Sequence, residues 1–151
     1  MYFIAILVLM VFIFFTTSLS STAATLIDIP SLIIVLGFSL PMLIASGLIQ
    51  DFLRGFKIAA QKENSYSVIE LKKTLHALKL MIKLLPLSGA LGFVIGAISI
   101  LWNLPEMIQS DLFYLGANFA VAAISIFYSL LFIFILLPIK TKIEVILTTL
   151  D

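Results

Sequence analysis

The 151-residue chain has no cysteine, a single histidine (His76), and only 11% charged residues. Without cysteine there is no disulfide framework, thiolate metal site or cysteine nucleophile. One imidazole cannot supply a histidine metal cluster, and no nucleophile–base pair stands out on which to build an enzyme site. Nine basic residues against eight acidic ones leave a net charge of +1, so there is no basic field for nucleic acid. The sequence reads as a non-enzyme without cofactor or metal.

What is present is apolar. Hydrophobic residues make up 62% of the chain and the mean hydropathy is +1.24, more than a soluble globule of this size could bury. About 20 apolar residues cross a hydrocarbon core of about 30 Å. Four stretches meet that requirement, at about 1–19, 30–50, 84–103 and 113–139, and none contains an ionisable acid or base. The expected fold is all-α, an integral membrane protein of four spans in one membrane domain.

Lys and Arg mark the loops that stay on the cytoplasmic side. Arg54, Lys57, Lys62, Lys72, Lys73, Lys79 and Lys83 lie between the second and third spans, and Lys140 and Lys142 follow the fourth. The connections at about 20–29 and 104–112 hold only Asp28, Glu106 and Asp111. Both termini are therefore expected inside. A cleaved signal peptide is the competing reading of the first span, with Ala23 and Ala24 as small residues near a cleavage site. The missing positive n-region and the length of the apolar run favour a retained span.

Residues 51–83 form a linker and helix too short for an independent domain, and 140–151 form a tail. Ser67 with Glu70 has the form of a capping box. Val68, Leu71, Leu75, Leu78, Ile82 and Leu85 then recur at steps of three and four, the stripe of a short amphipathic helix. Such a helix could pack against copies of itself, its lysines turned toward solvent or lipid phosphate; the plainer reading is that these lysines are solvated and fix topology. His76 falls on its polar flank.

Within the third span, Pro86, Gly89, Gly92 and Gly96 combine a helix bend or start with a glycine face that lets another backbone approach closely. In the fourth span Asn118 and Ser125 stand seven residues apart, on roughly one helix face, beside the small residues Gly116, Ala117, Ala120, Ala122 and Ala123. They could wet an ion pathway or make ordinary interhelical hydrogen bonds.

Several of these strings resemble the MotA/TolQ/ExbB family. The run Ile27-Asp28-Ile29-Pro30-Ser31-Leu32-Ile33-Ile34-Val35-Leu36-Gly37 is similar to the start of the second span in flagellar MotA proteins. Pro86 through Gly96 with Asn103-Leu104 resembles the third span, and Gly116 to Ser129 with Tyr128 and Pro138 the fourth. The chain differs in lacking most of the cytoplasmic region and in carrying Phe93 where many relatives have threonine.

The resemblance implies a multi-pass protein of the bacterial inner membrane, assembled as a pentameric ring around two copies of a single-span partner of the MotB/ExbD/TolR kind. That partner would supply the aspartate that binds a proton or sodium ion, and the ring would serve as a stator in a rotary motor complex. In that scheme Ser125, Asn118, Pro86 and Pro138 line the ion pathway or face the partner, and Gly89, Gly92 and Gly96 pack helices. The alternative is a non-conducting structural ring or membrane anchor derived from the same fold.

Overall fold

The computed structural model describes residues 2–19, 26–60, 66–103 and 112–150, so Ala23, Ala24, Glu106 and Asp111 lie outside the described residues. Among the described residues there are five helices and no strand: α1 (Tyr2–Leu19), α2 (Ile29–Ala45), α3 (Ile49–Ala60), α4 (Val68–Trp102) and α5 (Leu112–Leu150). Two of these, α4 and α5, are long and apolar enough to cross a membrane, and α2 with α3 form a third such unit bent by 109°. The shorter α1 exposes most of its apolar side chains, and Tyr2 donates from it to the carbonyl of Ile135 at 3.1 Å.

The sequence reading extends the second span through residue 50, whereas α2 stops at Ala45. Its end is a Schellman turn: the Gly47 amide donates to Ile44 at 2.9 Å and the Leu48 amide to Leu43 at 3.3 Å. Gly47 has φ +71°, a left-handed conformation that side chains with a Cβ resist. The chain then restarts as α3, so residues 51–83, read as a linker and one helix, hold most of α3 as well as the start of α4. Asp28 caps the other end of α2 by accepting from the Ser31 amide at 2.9 Å, with Pro30 in the first turn.

The amphipathic stripe and the third span are one helix. Ser67 and Glu70 form the expected capping box at its start, each side chain accepting from the other's backbone amide. Leu71, Leu78 and Leu85 of the stripe are fully buried, and they join Val35, Leu43, Ile139 and Ile143 in the core. The stripe is thus covered within the chain itself. Lys72, Lys73, Lys79, Lys83 and His76 are exposed, as their position on other faces requires. The 140–150 segment continues α5 without interruption.

Two outcomes follow from these turns and caps. Gly47→Ala should lose about 1–2 kcal/mol, the cost of a left-handed L-residue, whereas Gly37→Ala should lose nothing, because no atom lies within 4 Å of the added methyl and the site is helical. Unfolding in detergent measures both. The Glu70 carboxylate accepts from the Ser67 amide and hydroxyl, which holds its pKa below the ordinary glutamate value. Its support of the α4 start is then present above the ordinary glutamate pKa and lost as pH falls through the lowered one. An NMR titration should find the Glu70 midpoint below that of an unfolded glutamate, and Ser67→Ala should return it toward that value.

Candidate functional site

The α4–α5 seam is built from small residues on both helices. In antiparallel register, Gly89 faces Ser129, Gly92 faces Ser125 and Gly96 faces Ala122. A Cβ added at Gly89 would lie 2.8 Å from Ser129 Cβ, one at Gly92 2.8 Å from Ser125 Cβ, and one at Gly96 2.7 Å from Ala122 Cβ. All three distances are far inside van der Waals contact, so only hydrogen fits there. Close backbone approach maximises dispersion between helices where lipid provides no hydrophobic drive. Ile34 of α2 closes over the same place, 3.0 Å from a Cβ at Gly92.

The serines in the seam are satisfied. Ser125 Oγ lies 3.1 Å from the Gly89 carbonyl across the seam and 2.9 Å from the Ala122 carbonyl in its own helix. Ser129 Oγ donates to the Ile126 carbonyl at 2.7 Å. Both residues are 1% exposed. At these three levels the seam has no room for a methyl group between the two helices.

Of the site residues expected from sequence, the structure brings together Gly89, Gly92, Gly96 and Ser125. Asn118 lies farther along α5, half-buried, and Pro86 and Pro138 are exposed on α4 and α5. Each proline removes the amide that would bond four residues back, freeing the carbonyls of Ile82 and Phe134 from their helical partner. Ser125 is buried in the α4–α5 seam, whereas both prolines are exposed.

Three contacts escaped the sequence reading. Tyr128 donates its hydroxyl to the Leu26 carbonyl at 2.6 Å and accepts from the Asp28 amide at 3.0 Å, so α5 holds the entry to α2. Lys142 Nζ donates to the carbonyls of Ile58 and Ala59 at 2.7 and 3.2 Å, putting a cation on the partly negative end of α3. Glu144 pairs with Lys79 of α4 at 3.3 Å and with Lys140 at 3.5 Å. The Ala122-x-x-Ser125-x-x-x-Ser129 spacing was a readable signal for the seam, since it repeats the three-then-four spacing of the glycines. The tyrosine and lysine contacts join residues more than 80 apart and left no local trace.

This combination of a glycine-faced helix, a facing small-residue helix and continuous extensions past the apolar stretch is matched at the level of sequence. The MotA/TolQ/ExbB proton channel family matches residues 44–150, more than two thirds of the chain. The chain belongs to this family. No curated protein and no solved structure gives a match. The family match starts at Ile44, beyond the Ile27–Gly37 string that resembles flagellar MotA, and so does not separate MotA from TolQ or ExbB within the MotA/TolQ/ExbB family. Among the described residues no group of acids and histidines is arranged to hold a metal ion.

The seam predicts a compensating pair in this MotA/TolQ/ExbB protein. Gly96→Ala should cost about 1–3 kcal/mol through overpacking, and adding Ala122→Gly should recover most of it, because the Ala122 methyl is the nearest atom to the new one. Unfolding of the single and double variants in detergent measures the coupling. Additive losses would show that the two residues do not meet.

Proposed function

We propose that the chain is the ring-forming subunit of an ion-driven motor or channel complex in the bacterial inner membrane. In this reading five copies surround two single-span partners, and four spans place both termini in the cytoplasm. The observation that carries it is the pairing of a close-packed α4–α5 hairpin with membrane stretches that contain no ionisable side chain. A proton or sodium ion crossing hydrocarbon needs a charged or strongly polar way station. In a member of a proton channel family that lacks one, a partner must bring the carboxylate.

The close-packed seam leaves the pathway to the surface between subunit and partner. Pro86, Pro138 and half-buried Asn118 then stand on or near the faces a partner can reach. Ser125 acts from within the seam, by setting the α4–α5 distance through its bond to Gly89. Ion binding at the partner's carboxylate would change its preference among neighbouring subunits, and that difference in affinity drives a step. Pro86 and Pro138 are the points at which α4 and α5 bend most readily during it.

A second reading, the non-conducting structural ring or anchor, is favoured by one observation: the Ser125 and Ser129 hydroxyls are buried and bonded to backbone carbonyls. Native mass spectrometry of the complex from its own cells separates the two. A five-to-two assembly with a single-span protein bearing a membrane aspartate is expected, together with ion flux in liposomes. Ser125→Ala should retain assembly while reducing flux. A homo-oligomer without partner or flux would sink ion coupling and leave the structural ring.

A further inference from the structure

Beside the seam, the helix α3 carries chemistry that ion coupling does not use. Its Gly55 packs where α4 and α5 change from apolar to lysine-bearing: a methyl there would touch Leu78 at 3.4 Å and Ile139 at 3.5 Å. Lys72 and Lys73 of α4 and Lys140 and Lys142 of α5 lie on the polar side of that level, and Lys79 stands beside it. α3 turns by 109° from α2 and packs on α4 and α5 at this level, where their apolar stretches give way to lysines. Phe52, Ile58 and Ala59 are buried inward, whereas Leu53 is 54% exposed on the same side of the helix as Lys57 and next to Arg54. The helix is thus strongly amphipathic, with its apolar side chains on the bundle and its cations turned away from it, the pattern of a helix that lies at an interface.

Arg54, Lys57, Gln50 and Leu53 of α3 join Tyr66, which precedes α4, around a groove of about 310 Å³. Asp51 pairs with Arg54 and orients its guanidinium, which keeps further N–H donors. Lys57 has no acidic partner among the described residues. Glu70 is the other acid close to Arg54, whose charge helps to lower its pKa. The groove thus offers one anchored cation, one cation without an acidic partner among the described residues, and an amide.

We propose that this groove binds the phosphate of an anionic phospholipid in the leaflet that borders α3, with Arg54 and Lys57 as its cationic contacts and Leu53 against the lipid's upper acyl carbons. The site requires only that the bundle sits in a membrane, and it stands apart from ion coupling. A free phosphate offers the same oxygen atoms. Leu53, exposed and apolar beside the cations, favours the lipid.

Native mass spectrometry of the whole protein in detergent, with equal phosphatidylglycerol and phosphatidylcholine, tests it. Retention of the anionic lipid over the zwitterionic one is expected, with Lys57→Gln lowering that preference about fivefold, the usual effect of one interfacial cation. Arg54→Gln combined with Asp51→Asn, which leaves no carboxylate unpaired, should lower it similarly. Lys72→Gln, an exposed α4 lysine outside the groove, should leave it unchanged. An equal loss with Lys72→Gln, or no preference in the parent protein, overturns the site. Displacement of the lipid by millimolar inorganic phosphate overturns the lipid as its occupant. Taken on protein from its own cells, the same spectra count subunits and partners, so a lipid preference held by a homo-oligomer without partner or ion flux would sink the motor reading and leave this one standing.

Discussion

The distance between α4 and α5 is the constraint on which the other contacts rest. Hydrogen stands where a methyl would collide at three successive levels, opposite Ser129, Ser125 and Ala122. Inside a bilayer, apolar side chains gain little by leaving lipid for one another, so shape fit and dispersion between close backbones hold the pair. Ile34 seals the joint from a third side, which fixes α2 against it. A wider seam would disengage Ser125 from Gly89 and carry Tyr128 away from the entry of α2.

Different forces take over where the helices leave the apolar layer. There the contacts are charged or capping: Ser67 with Glu70, Lys79 with Glu144, and Lys142 on the last carbonyls of α3. The exposed ion pairs contribute little on their own in water. Leu71, Leu78, Ile139 and Ile143 beneath them supply burial, and the polar contacts select the register. One helix pair therefore spans two solvents, held by shape in one and by apolar burial with polar pairing in the other.

Much of this was legible in the sequence because its signals were local and periodic. The capping box, the stripe from Val68 to Leu85 and the glycine face each declare themselves within a few turns. The elbow after Ala45 was also written locally, as Ser46-Gly47, but it lies inside an apolar run, and hydropathy alone reads such a run as continuous. α3 was not separated from the linker for a different reason, since its cations resemble those of any cytoplasmic connection. The placement of Ser125 was a different problem. A seven-residue spacing puts it near the face of Asn118, yet which face is buried depends on the partner helix, and only the matching of Gly92 to Ser125 settles that. The Tyr128 and Lys142 contacts depend on the finished fold and cannot be read from one segment.

Because α5 is one helix of 39 residues with a single interior proline, Pro138, it behaves as a lever with one joint rather than as a stack of separate parts. Its 39 residues extend about 58 Å, so that a tilt of about 5° at one end carries the other sideways by roughly 5 Å. Lys142 grips α3 near the far end of that lever. Small angular changes in the membrane therefore reach the amphipathic helix as displacements the width of a residue, a mechanical gain that requires no additional domain.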